Sequence, residues 1–406
     1  MIHGADMAEL LKQAKITPEG IQAMRDKIGI SLRPRTRYNR SSCYDSVNHF
    51  CLGIGDDNPL WMDEEYGKTT ALGLNLAPPS FLYSIAMTVV QLGLPGVHGF
   101  HAGTDWQFFR PIPQDEKILL HVWLDEIYEK PSKMAGTSVA TYFSTVYYTP
   151  DEAILAHSRS VTFRMERGAS RERNTEGKLQ PAVWNAEQLR EIEAAYQREK
   201  PRGATKRYWE DVQVGDPLEP LTKGPLCMSD MIAFYAGAMV APTPAHGLAI
   251  KDYRRHPNWW FRNPENGGLE PIIRVHENIQ AAQAAGVPAP YDVGVQRHAW
   301  LMHLVTNWMG DDAFMVRNRG NFRAFNYFGD VTTFTGEVVR KYEENGNLLV
   351  ELEIRGTNQR GVASIPGSAV VALPSRNSSV MPVEKFHQQR IGLRDFLDTL
   401  PVQPKI

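Results

Sequence analysis

Carboxylates and imidazoles are the side chains that most often move protons in general acid–base chemistry, provided they stand within hydrogen-bond reach of each other or of one water. The sequence gathers them in a few places. Asp56 and Asp57 lie in Gly53-Ile54-Gly55-Asp56-Asp57-Asn58-Pro59-Leu60-Trp61-Met62-Asp63-Glu64-Glu65-Tyr66, whose glycines, asparagine and proline are also the makings of a tight turn. Two histidines far downstream, His246 in Ala-Pro-Thr-Pro-Ala-His-Gly and His276 in Arg-Val-His-Glu-Asn, are the other notable groups. His98, His101 and Asp105 are metal-ligand types, but no further His or Cys follows at a recognised spacing, and His276-Glu277-Asn278 is not HExxH, so no metal site is predicted. Guanidinium groups cluster at Arg33, Arg35, Arg37 and Arg40 and again at Arg317, Arg319 and Arg323, in a pattern that suits a phosphate or diphosphate as well as a solvated surface.

The elements that would position these residues occur twice. Phe108 to Glu129 lies over Phe322 to Glu343: each has an aromatic start, a turn with an acidic residue and a strand of alternating character. Two more alternating segments follow in each case, Thr137 to Tyr148 and Ala153 to Met165 in the first half, Asn347 to Arg355 and Gly361 to Leu373 in the second. An apolar helix precedes each set, Pro79 to Leu92 and Val293 to Met309. A buried helix followed by an antiparallel meander, repeated, predicts a duplicated α+β unit. A charged stretch between the repeats contains a helix from Asn185 to Arg198 and reads as a linker. The expected parts are an N-terminal helical extension (1–29), a first domain (30–166), the linker (167–204), a second domain (205–373) and a polar tail (374–406) with a short helix at Leu393 to Leu400, to which no function is assigned.

The run from Gly53 to Tyr66 resembles the signature of the MaoC-type, or R-specific, enoyl-CoA hydratases, Gly-Asp-x-Asn-Pro-Leu-His-x-Asp. Members of that family have the hotdog fold, a curved antiparallel sheet wrapped around one long central helix. The resemblance covers roughly residues 30–165 and 205–373 and implies a tandem, or double, hotdog whose N-terminal domain is like a FAS1-type dehydratase. It further implies a hydratase or dehydratase of 2-enoyl-CoA and 3-hydroxyacyl-CoA thioesters, with CoA as part of the substrate, no separate cofactor, and assembly into a homo-oligomer. Asp56 matches the family aspartate and Asn58 the asparagine. Trp61 stands where the histidine belongs; an indole donates an N–H and has no usable base, so Trp61 would stack on an acyl chain or an adenine.

In the second half, the resemblance puts His276 in the catalytic histidine position, with Gly286 ten residues later as in the family pattern. Pro271 occupies the place of the aspartate, and Glu270, Glu277 and Asp252 are the carboxylates that could replace it. An insertion carrying Tyr253, Trp259, Trp260 and Phe261 separates His276 from the helix at Ser229 to Gly237, and His246 follows that helix near the expected distance, so His246 competes with His276. Gly294 corresponds to the family glycine whose N–H, at the start of the central helix, faces the thioester oxygen. The first half has Pro78 and Pro79 there, which removes two donors and makes the second half the expected reactive one. Arg317 and Arg323 are candidate contacts for the CoA phosphates, and the many tryptophans suggest a bulky or aromatic acyl group. The same fold would serve a non-catalytic acyl-CoA binder or partner subunit, or a thioesterase.

Composition is compatible with this reading. With 44 Lys and Arg against 46 Asp and Glu in 406 residues, the net charge of -2 provides no broad basic field, so nucleic acid is not an expected partner. Three cysteines, Cys43, Cys51 and Cys227, show no CxxC spacing and read as reduced thiols of a cytoplasmic protein. The N-terminal residues lack the pattern of a secretion signal, and Phe81 to Leu94 is shorter than the roughly 20 residues a bilayer requires.

Overall fold

The computed structural model of the chain describes residues 15–32, 38–86, 92–94, 97–132, 136–166, 181–238, 244–263, 265–284 and 287–405. The strands, in chain order, are β1 (Ser31–Leu32), β2 (Leu76–Ala77), β3 (His98–Phe108), β4 (Ile112–Pro113), β5 (Leu119–Ser132), β6 (Gly136–Tyr148), β7 (Ile154–Met165), β8 (Leu221–Lys223), β9 (Trp260–Arg262), β10 (Leu269–Pro271), β11 (Phe314–Asn321), β12 (Thr332–Glu344), β13 (Asn347–Asn358) and β14 (Ala363–Ala372). The principal helices are α1 (Tyr44–Ile54), α2 (Ala186–Arg198), α3 (Met228–Gly237), α4 (His246–Arg255) and α5 (Gly294–Met309). Among the described residues no helix is long and apolar enough to cross a membrane.

The duplication shows directly in the sheet. Its ten strands run β1-β5-β6-β7-β3-β11-β14-β13-β12-β8, so the two halves are mirror-ordered about the antiparallel β3–β11 pair, in which Trp106 lies opposite Asn318 and Asp105 opposite Arg319. The meander strands lie where the alternating segments place them, and β6 and β13 pair in sequence with their neighbours on both sides. A second symmetric contact is the crossing of α1 over α3. A Cβ on Gly53 would lie 2.7 Å from the Ala233 carbonyl oxygen, and one on Gly237 would collide with the His49 carbonyl. Each helix therefore needs a bare backbone at the crossing. The main core runs through both halves, joining Phe50, Phe81 and Trp106 to Phe234, Leu301 and Trp308.

α5 is the central helix of the second half, sixteen residues long and buried on all sides. The first half differs from the expectation of a helix from Pro79 to Leu92. There a 3-10 turn at Pro79–Phe81 leads into Leu82–Ile85, and the backbone becomes extended at Ala86 (φ -152, ψ 135) just before the β-branched run Thr88-Val89-Val90; residues 87–91 lie outside those described. Pro18–Arg25 is helical behind Thr17, whose side chain caps Gly20, while the expected segment before it lies outside the described residues. In the connecting stretch, α2 starts from a capping box made by Asn185 and Gln188. The C-terminal tail is packed: Phe386 stacks on Phe314 with ring centres 4.2 Å apart, and Phe396 meets Phe109 edge-on at 5.1 Å.

Candidate active site

α1 ends at Gly55 in the left-handed conformation (φ 63, ψ 50), which allows the Asp56 amide to bond back to the Cys51 carbonyl at 3.0 Å. The chain then turns on its own side chains. Asp56 Oδ1 accepts from the Asn58 amide at 3.1 Å, and Asn58 Oδ1 accepts from the Leu60 amide at 3.0 Å, capping the short helix Pro59–Met62. This turn is buried: Asp56 and Asn58 are both 2% exposed. A turn of ordinary chemistry has thus been carried into the interior with a carboxyl group attached.

Residues from the second half close over it. His303, on α5, sets Nε2 3.4 Å from Asp56 Oδ1, and Lys223, at the end of β8, donates to the Gly55 carbonyl at 2.7 Å. Burial pushes the Asp56 carboxyl up to about 6; the Trp61 indole N–H, the Asn58 amide and the Lys223 ammonium all pull the other way. Burial, and then the Lys223 charge, hold His303 well below the ordinary imidazole range. The contact is therefore between a neutral ring and a carboxyl that titrates near 6. The Trp61 indole N–H faces the Asp56 carboxyl and the Asn307 side chain faces His303, but neither contact is a well-formed hydrogen bond, so this buried group is only loosely held together.

An apolar cleft of about 520 Å³, its open mouth included, adjoins this group. Its walls include Asn58 and Trp61 from the turn, Phe108 and Arg110 from the end of β3, and Thr306 and Phe314 from the second half. Thr306 lies one turn beyond His303 on α5, so the two segments that carry the pair, the turn and α5, both also contribute to the cleft wall.

The other residues singled out in the sequence lie elsewhere. His276 closes the 3-10 turn Ile272–His276, where Nδ1 meets the Tyr291 carbonyl at 2.9 Å and burial lowers it to about 4. None of its three candidate carboxylates is its partner: Glu277 pairs with Arg274, Glu270 accepts from Asn263 at 2.6 Å, and Asp252 accepts from the Trp260 indole at 2.8 Å. His246 is exposed, at φ 54 on the first residue of α4. Gly294 does open α5, and a Cβ there would lie 3.3 Å from His101 Nδ1, but it is about 13 Å along the axis from His303 at ~1.5 Å per residue. Arg317 and Arg323 are exposed; Arg33, Arg35 and Arg37 lie outside the described residues.

Residues 44–157 match the family description FAS1-like, dehydratase domain region. The matched region lies on a double-hotdog fold similar to that of MaoC-like dehydratases. A MaoC-like dehydratase superposes on it with a TM-score of 0.59 at 13% identity, over 86% of this chain and all of the other. A MaoC domain protein dehydratase from Chloroflexus aurantiacus J-10-fl gives 0.58 at 12% identity, over 87% and 97%. A conserved Mycobacterium tuberculosis protein described as a double hotdog gives 0.51 at 9% identity, over 84% and 96%. In sequence, a UPF0336 protein of Streptomyces avermitilis is 24% identical over 116 residues, 27% of this chain and 73% of its own.

No local pattern in the sequence marks His303, because an imidazole within a helix as apolar as α5 reads as core. The signal available was the pair His298 and His303 on a helix that is buried on all sides. His298 bonds Tyr83 at 2.7 Å and Asn318 at 2.8 Å and so has both ring nitrogens occupied. His303 does not.

Proposed function

We propose that the protein hydrates 2-enoyl-CoA thioesters, or dehydrates the corresponding 3-hydroxyacyl-CoA, with Asp56 and His303 as its acid–base pair. The observation that carries this reading is their 3.4 Å contact beside the cleft, with no strong hydrogen bond holding either the His303 ring or Asp56 Oδ2. Trp61 occupies the motif position in which the MaoC-type signature has histidine, and the imidazole at Asp56 comes from the other half.

Hydration places the oxygen of water on carbon 3 and a proton on carbon 2. Above about pH 6, Asp56 is ionised and takes a proton from water as its oxygen bonds to carbon 3. A neutral imidazole carries one N–H and one lone pair, so His303 can give its proton to carbon 2 and recover it from Asp56. Dehydration follows the same steps in reverse. Trp61, Phe108 and Phe314 along the cleft favour a bulky acyl group.

The test follows the absorbance of the conjugated thioester in a panel of enoyl-CoAs. Loss of that absorbance, abolished in Asp56→Asn and His303→Gln, is the expected result. Release of free thiol in its place would make the protein a thioesterase, and saturable binding with neither signal would make it an acyl-CoA binder.

A further inference from the structure

Three arginines are deeply buried in the described structure, and two of them are compensated. Arg164 is surrounded by the carbonyls of Leu92, Gly93, Leu94 and Val97, and Arg297 pairs with Asp292. Arg110, which follows β3, is 4% exposed and has neither arrangement. Its Nε and Nη1 are buried without a hydrogen-bond partner, and it enters no ion pair among the described residues.

A guanidinium cannot shed its charge, and a buried one is unfavourable unless an anion or a set of carbonyls faces it. The walls near Arg110, including Leu76, Phe108, Ile112 and Val383, are apolar. Of the charged groups near it, Arg390 opposes its charge while Glu116 and Asp151 favour it, but Asp151 is already paired with Arg390 and neither carboxylate forms an ion pair with Arg110 among the described residues. Asp311 also borders the cleft: its Oδ2 accepts from the Tyr66 hydroxyl at 2.7 Å, its Oδ1 is buried without a hydrogen bond, and it forms no ion pair with Arg110 among the described residues.

We infer that Arg110 is an oxyanion-binding residue of the cleft, receiving through its planar fork an anionic oxygen group of the substrate, either a carboxylate on the acyl chain or a phosphate of CoA. The inference deepens the hydratase reading and rests on it for the thioester nature of the ligand. Binding, however, can be measured without turnover.

The experiment uses calorimetric titration of the intact chain with four saturated thioesters that cannot be hydrated: succinyl-CoA, butyryl-CoA, and the succinyl and butyryl thioesters of pantetheine, which lacks CoA's phosphates. If the anion is an acyl carboxylate, the succinyl compounds bind at least tenfold tighter than the butyryl ones, and Arg110→Gln removes the difference. If it is a phosphate, the CoA compounds bind at least tenfold tighter than the pantetheine ones, and the same variant removes that difference. Equal dissociation constants for wild type and Arg110→Gln with all four probes, or no binding of any of them to wild type, would overturn the inference. Arg110→Gln removes an uncompensated charge and is expected to melt no lower than wild type; Arg110→Lys, which keeps the charge without the fork, should bind with intermediate affinity. Arg110-dependent binding in a protein that hydrates no enoyl-CoA would leave this inference standing and remove the hydratase reading alone.

Discussion

The His303 imidazole, on the central helix of the second half, lies 3.4 Å from the carboxyl of Asp56, in the turn that ends the first helix of the first half. Neither residue has the other as a neighbour in its own repeat. The pair exists only because α1 crosses α3 on two glycines and the shared core brings α5 against the turn.

Rate should follow the ionisation of Asp56. With the carboxyl pushed up to about 6 and active as its anion, kcat/KM for hydration should rise with pH through about 6 and level off above it. A profile flat from pH 5 to pH 8 would remove Asp56 from the role of base.

Asp56 should also weaken the fold at neutral pH. The folded carboxyl holds its proton up to about pH 6 and the unfolded one only to about 3.8, so stability falls as pH rises between those values. Asp56→Asn should relieve this penalty, on the order of 2 to 3 kcal/mol at pH 7 to 8, and bring no gain at pH 3.5. Urea unfolding of both proteins at the two pH values checks the sign.

His298 acts in the opposite sense. Burial holds it at about 4 in the fold against 6.5 when unfolded, so the unfolded chain takes up the proton first, and stability is lost as pH falls from 6.5 to about 4. In His298→Gln the unfolding midpoint should vary less over that interval, as measured by denaturant titration at half-unit steps.

The glycine crossing gives a prediction about packing. Gly237→Ala places a Cβ into the His49 carbonyl and should destabilise by about 1 to 3 kcal/mol or more. Gly247→Ala, on α4 with nothing within 4 Å of the added carbon, should be neutral or slightly stabilising. Thermal melts of the two variants separate a site-specific collision from a general effect of replacing glycine.

The sequence carried the parts of this structure that have local or periodic causes. β6, β7, β13 and β14 follow from alternation, the turn at Gly55 to Asn58 from its glycine and asparagine, and the duplication from the repeated order of elements. The tail helix was legible as well, since Leu393, Phe396, Leu397 and Leu400 fall at helical spacing; the packing of this segment against Phe109 is tertiary and was not. The pairing of Asp56 with His303 depends on the association of the halves across 247 residues (303 − 56), and no local pattern encodes it. The family resemblance placed the catalytic imidazole of the second half at His276, with His246 competing, because motif spacing is read along one repeat; the imidazole beside Asp56 is on α5, and the Trp61 indole holds the motif position.

The most direct test is a double-mutant cycle on hydration, comparing kcat/KM for wild type, Asp56→Asn, His303→Gln and the double variant with one turned-over enoyl-CoA. If the two side chains work as a unit, each single substitution lowers the rate by about 10²- to 10⁴-fold, and the double variant is little worse than either. Losses that simply multiply, or a His303→Gln enzyme as fast as wild type, would contradict it.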